Sequence, residues 1–317
     1  KLTRRKLLFP SCMLILAVAW PGAHVSAQDD GQPPAQMPDS GPGLSGTDPA
    51  DEVALKIWSA EVLGNEGQFE KAASEYLGAA LLSDDPEIAQ RATEVAINAQ
   101  SWALAAMAAD RWVLLAPDNL QAREIASRTL LIGGDIVRAE IQLKESLILL
   151  KDAPWGGWDQ IAPLLAVSRD AERTDEMLQR LMQELDAEKN PFALFARSQV
   201  LARDGKFERA MVLAQDAVSL APGEVVLQSW AGRLSMNLRD EDGALHFYRA
   251  AWQTEPDNRQ LALVYAELLR QTGHPEDALD VLGELPDTPE NRFTRIAFAV
   301  ESGQRDIAMD LYAGFKK

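Results

Sequence analysis

The chain has 317 residues, with 31 Lys plus Arg against 48 Asp plus Glu, a formal net charge of −17, and 47% hydrophobic residues. That apolar fraction excludes a wholly disordered chain, and the acidic balance argues against a nucleic-acid binder, which grips phosphates with clustered Lys and Arg. A single Cys excludes an internal disulfide framework or a Cys-based zinc site, and the three His are too scattered to mark a metal centre, so no metal and no cofactor is expected.

Residues 1–27 have the layout of an export signal. A basic stretch from Lys1 to Lys6 precedes an apolar run from Cys12 to Trp20. A breaker at Pro21 and Gly22 and a small-residue end at Val25, Ser26 and Ala27 follow. Cleavage is expected after Ala27, and the apolar run is short for a bilayer span, so the mature chain should carry no transmembrane helix. Arg4 and Arg5 leave general and twin-arginine export both open. Cys12 stands ahead of most of the apolar run rather than after it, so no lipid anchor is expected there. The leader is basic and free of acids, so its removal makes the rest more negative still. Residues 28–47 are dominated by Pro, Gly and polar side chains without an apolar period, and predict a flexible linker. Thr47, Asp48 and Pro49 then form a helix start, with Asp48 as N-cap.

From Pro49 onward one frame recurs. Gly205 is followed by Ala210, Ala217 and Pro222, and the same order relates Gly67 to Ala72, Gly134 to Ala139, Gly273 to Ala278 and Gly303 to Ala308. Gln100 and Arg239 stand where the Gly would be in two further units, ahead of Ala105 and Ala244. The alanines recur about every 34 residues, with one double interval between Ala139 and Ala210. Aromatics fit the frame: Phe69, Trp102 and Phe207 before the Ala, and Tyr76, Tyr248 and Tyr312 after it. The spacing and residue types resemble tetratricopeptide (TPR) repeats, which predicts an all-α fold, a TPR-type α–α solenoid coiled as a right-handed superhelix, over residues 48–317 in about eight helix pairs. Gly ends the first helix of a pair, Ala lets the two helices approach, and Pro stops the second.

The frame breaks between Lys151 and Asp159, which contains Pro154, Trp155, Gly156, Gly157 and Trp158. The degenerate unit there predicts a first helix near Trp158 to Arg169 and a second near Asp175 to Asp186. The last unit stops at Lys317 before its expected Pro and without a polar capping helix. The expectation is therefore a longer array, or an end that docks on another molecule.

No catalytic motif is present: there is no Gly-x-Ser-x-Gly, phosphate-binding Gly loop, or His-Glu-x-x-His. Acidic pairs such as Asp84-Asp85 fall at helix junctions, where they predict caps. An enzyme is not expected. In TPR arrays the first helices line the concave binding face, and their middles here offer Glu61, Glu94, Arg128, Gln199, Arg233 and Glu267 as partner-binding candidates. Their signs alternate, which speaks against one uniformly charged groove. The Lys/Asn arrangement of carboxylate-gripping TPR domains is missing: Ile57, Gln90, Glu124, Phe195, Ser229, Leu263 and Phe293 occupy those places. Trp155 and Trp158 are further candidates, either as a partner anchor or as a seal where the repeat breaks. Trp58, Trp112, Trp230 and Trp252 are expected to pack inside.

Residues 69–76, 85–92, 108–112 and 116–119 resemble a narrower group, the proteobacterial periplasmic TPR lipoproteins that serve as adaptors for a carboxyl-terminal processing protease. The resemblance implies a non-enzymatic scaffold in the cell envelope, whose protein partners are a periplasmic protease and substrates such as peptidoglycan cross-link hydrolases. An assembly factor for a polysaccharide or outer-membrane machine, and the substrate arm of an enzyme whose catalytic domain lies elsewhere, are the competing readings.

Overall fold

The computed structural model describes residues 48–315. The leader, Cys12 and the whole of the linker fall outside the described residues. The described part contains sixteen α-helices and no strand. They follow one another as antiparallel neighbours: α1 (Pro49–Asn65) and α2 (Phe69–Leu82), α3 (Pro86–Asn98) and α4 (Trp102–Leu115), α5 (Leu120–Gly133) and α6 (Ile136–Leu149). After an irregular stretch holding the single-turn α7 (Trp158–Ile161) come α8 (Ala171–Glu184), α9 (Pro191–Arg203) and α10 (Phe207–Leu220). The array continues with α11 (Val225–Leu238), α12 (Glu241–Thr254), α13 (Arg259–Gln271), α14 (Pro275–Gly283), α15 (Pro289–Glu301) and α16 (Arg305–Phe315). This is the TPR-type α–α solenoid.

Each boundary has a local cause. Asp48, Asp85, Asn119, Asn190, Asn258 and Thr288 accept backbone N–H bonds at the starts of first helices, and Pro49, Pro86, Pro191 and Pro289 occupy the first turn behind their caps. Inside each regular pair the turn closes with a bond from the residue after the frame position back five residues. Lys206 N–H donates to the Leu201 carbonyl at 3.0 Å, and Asp240 N–H to Ser235 at 2.9 Å. This closure requires a left-handed residue between the helices. The frame glycines supply it with φ of 74–88°. Where the Gly is replaced, the conformation persists: Gln100 has φ 56° and Arg239 φ 61°. The backbone geometry is thus kept at some cost in strain even where the favoured residue is missing.

The frame alanines Ala72, Ala105, Ala139, Ala210, Ala244, Ala278 and Ala308 are all buried. Their small side chains lie where paired helices touch. In the acidic pair Asp84-Asp85, Asp85 caps α3 as expected, whereas Asp84 pairs with Arg111 at 3.0 Å.

The degenerate unit departs from its expectation. No continuous helix runs from Trp158 to Arg169. A 3-10 turn at Pro154–Gly157 leads into α7, and a 3-10 segment at Ala162–Val167 follows. Pro163 accounts for the break, because it lacks an N–H and its ring clashes with the preceding turn of a regular helix. The second helix begins at Ala171, earlier than expected, because Asp170 caps it by accepting from Arg173 N–H at 3.0 Å. The segment is nevertheless central to the core. Trp158, Ile161, Leu164 and Leu165 belong to an apolar cluster that extends from α4 to α11. Arg203, at the end of α9, reaches back to the carbonyls of Leu165 (3.1 Å), Ala166 and Ser168 (2.5 Å). It thereby caps the C-terminal end of the 3-10 segment, where the Leu165 carbonyl also accepts from Ser168 N–H at 3.2 Å.

Candidate protein-binding face

The sequence-derived candidates lie on first helices, as the frame dictates, but they do not form one site. Glu61 and Glu94 converge on Arg91, which lies 3.9 Å from Glu61 and 3.6 Å from Glu94 and stacks near the Tyr76 ring. Tyr76 donates its hydroxyl to Glu61, and burial, followed by that bond, raises the phenol above its usual range. These carboxylates are engaged within the chain. Arg128 is held by Glu124 at 3.0 Å, one turn earlier on α5. Glu267 accepts from Arg270 at 2.8 and 2.5 Å and from Gln271 at 2.7 Å, and the Arg270 bonds hold its carboxyl below the ordinary range.

Gln199 and Arg233 are different: the structure brings them to the same cavity. Its volume is about 290 Å³, and its apolar wall comes from Leu165, Val200, Phe207, Trp230 and Leu234. Gln199, Arg203, Arg233 and Asn237 supply the polar groups, and no acidic residue lines it. The helix spacing explains the arrangement. Arg203 follows Gln199 by one turn on α9, and Asn237 follows Arg233 by one turn on α11, so each pair shares a face. Phe207 enters from the start of α10, and Leu165 from the broken unit.

Several contacts fix this wall. Trp230 Nε1 donates to Ser198 Oγ at 2.7 Å, and Ser198 donates to the Ala210 carbonyl at 2.7 Å. The Phe195 ring meets Trp230 edge-on at 6.0 Å between centroids. The Arg233 guanidinium lies 5.7 Å from the centre of the indole. Neither Arg203 nor Arg233 has a carboxylate partner among the described residues, and partial burial among carbonyls lowers the Arg203 guanidinium below the usual arginine range. A second cavity of about 190 Å³ adjoins Arg233 on its far side, lined by Val225, Ser229, Tyr248, Leu261 and Val264, again without an acid.

Of the two tryptophans at the broken repeat, Trp158 is only 3% exposed and lies within the core. Trp155 is 37% exposed; its ring packs on Phe192 at 5.5 Å, and its carbonyl accepts from Asn190 at 2.8 Å. Trp112 is buried and Trp230 and Trp252 are partly so, but Trp58 is largely exposed on α1, contrary to the packing role expected for it. Sequence reasoning missed Arg203 and Asn237. The one-turn offset from Gln199 and Arg233 was the available signal. No described helix is long and apolar enough to cross a membrane.

Residues 238–297 match the tetratricopeptide repeat family. A curated TPR repeat-containing protein of Pseudomonas aeruginosa is 27% identical over 224 residues, which is 68% of this chain and 36% of that protein. The chain therefore spans little more than a third of that relative's length. Among solved structures, YrrB, described as a TPR protein with an unusual peptide-binding site, aligns at 18% identity and a TM-score of 0.34, over 58% of this chain and 93% of its own. A thermophilic TPR protein of Thermus thermophilus aligns at 17% identity and a TM-score of 0.34, over 68% of this chain and 98% of its own. The tetratricopeptide match at residues 238–297 thus falls within a longer run of paired helices with left-handed turns that keeps the same frame on its N-terminal side.

Proposed function

We propose that this chain is an exported, non-catalytic scaffold that holds a carboxyl-terminal processing protease in the cell envelope and presents protein substrates to it. A solenoid of stacked helix pairs offers an extended face on which two proteins can be held side by side, which is what an adaptor needs. The observation that carries the narrower reading is the set of residues at 69–76, 85–92, 108–112 and 116–119, whose order resembles the adaptor lipoproteins of that protease. The leader-like layout of residues 1–27 is consistent with an envelope location. Catalysis is assigned to the partner.

The test is capture of the tagged chain from cross-linked cell envelopes, followed by identification of what is retained. A carboxyl-terminal processing protease recovered with the chain, and cleaving a co-recovered hydrolase faster in its presence, is the expected result. Recovery of polysaccharide or outer-membrane assembly components in its place would overturn the adaptor reading and favour an assembly factor. The N-terminus of the envelope form should begin at Gln28, and palmitate labelling that disappears in Cys12→Ser would refute the absence of a lipid anchor.

A further inference from the structure

We infer that the paired cavities flanking Arg233 form a docking site for an internal segment of a protein partner that carries a large apolar side chain beside an Asp or Glu side chain. The inference rests on the reading of the chain as a protein-binding scaffold and names the chemistry its face selects.

Charge is the first argument. The chain carries 48 acidic residues against 31 basic ones, yet neither cavity is lined by an acid, and the only ionic side chains at them are Arg203 and Arg233. Elsewhere the arginines at or beside candidate positions are matched: Arg91 with Glu61 and Glu94, Arg128 with Glu124, Arg270 with Glu267. Arg233 is left with the Trp230 indole and the neutral Tyr248 hydroxyl, and no carboxylate. A guanidinium stacked on an aromatic keeps N–H groups available at its edge, and that edge is suited to a carboxylate. Local positive charge on an acidic molecule also selects which approaching segments reach the site.

Size is the second. A space of about 290 Å³ is at or below the small end of ligand pockets, which fits one large side chain rather than a cofactor. Its wall is preorganised: the Trp230 N–H is already bonded to Ser198, so the indole offers its apolar surface without leaving a donor unsatisfied. Position is the third. Arg233 lines both cavities, so a chain laid over it has room on either side. That favours a segment passing through over a chain terminus ending at the arginine.

The probe is an array of short peptides, acetylated and amidated so that neither terminus is charged, with a matched set left free at the C-terminus, varied in apolar and acidic content and incubated with the purified chain. Peptides with a large apolar residue next to Asp or Glu should be retained about tenfold better than their Asn or Gln counterparts, the factor for one charge-assisted bond. Arg233→Ala should abolish that preference while the protein still unfolds in one cooperative transition, Arg233→Lys should keep part of it, and Gln199→Glu should weaken acidic peptides selectively. No preference for acid beside apolar residues, a preference for basic peptides, or retention that needs a free C-terminal carboxylate would each overturn the inference. Continued capture of the protease by a chain that shows no such preference would overturn this site alone; loss of the protease with the preference intact would overturn the adaptor reading alone.

Discussion

Trp230 donates its indole N–H to the hydroxyl of Ser198 at 2.7 Å, and through it the first helices α9 and α11 of consecutive repeats are joined by a bond that ends on the Ala210 carbonyl of the helix between them. Three helices thus share one buried hydroxyl. Ser198→Ala leaves both the indole donor and the added carbonyl bond unfilled, and should cost about 1–3 kcal/mol in denaturant titrations. A change no larger than at an exposed control position would mean water replaces the hydroxyl.

The turn after α11 carries stored strain. Arg239 holds φ 61° because the closure between Asp240 and Ser235 demands it. Arg239→Gly should relieve that strain and stabilise by about 0.5–1 kcal/mol, after the extra entropy that Gly loses on folding is taken into account. Equal or lower stability of the Gly variant in thermal melts would contradict this account.

The two tryptophans of the broken repeat should separate cleanly. Trp158→Ala removes a side chain buried among α6, α8 and α9 and should cost about 3–5 kcal/mol. Trp155→Ala removes a half-exposed ring whose main contact is Phe192, and should cost far less. Paired melts of the single variants check the order; the reverse order would misplace the seal.

Ala210 has no exposed surface and sits where α9 and α10 touch. Ala210→Leu should destabilise by about 1–3 kcal/mol through overpacking, while Ala210→Ser should be tolerated better. Unfolding midpoints of both variants decide the point, and a Leu variant as stable as the parent would show slack at that contact.

Glu267 gives the acid limb a defined component. Hydrogen bonds from Arg270 lower its folded carboxyl pKa, so its contribution is fully present above the ordinary carboxylate value of about 4.3 and is lost as pH falls through the folded value. Melts of Glu267→Gln and the parent should therefore differ at neutral pH and converge as pH drops below about 4. A gap that widens in acid would reverse the sign of the linkage.

Sequence made the architecture readable because the repeated positions each answer to one physical demand: left-handed φ at the turn, small volume at the contact, an end to the helix at Pro. Gln100 and Arg239 were recognisable only because their neighbours kept register. The degenerate unit is less readable, since Pro163 breaks a helix that the apolar pattern continues, and Arg203, which caps the end of the broken segment, lies 35 or more residues away in sequence. The same distance hid the cavity. Gln199 and Arg233 could be placed on a common face by frame, but their convergence with Leu165 and Phe207 depends on three helices and a broken fourth. Charge alternation along the series was visible, whereas which charges are cancelled by neighbours, as Glu61 and Glu94 are by Arg91, was not.

The turn between paired helices also acts as a phase setter. From Gly205 the buried Ala210 lies at a fixed count along the chain, so one extra residue inserted between them would turn the remainder of α10 by about 100° about its own axis and carry its packed face toward water. The connections between successive pairs, such as residues 221–224 and 255–258, lie outside that count. Length variation should therefore accumulate in those links and be purged from the turns, so that the array can lengthen by whole pairs while the internal timing of each pair stays locked.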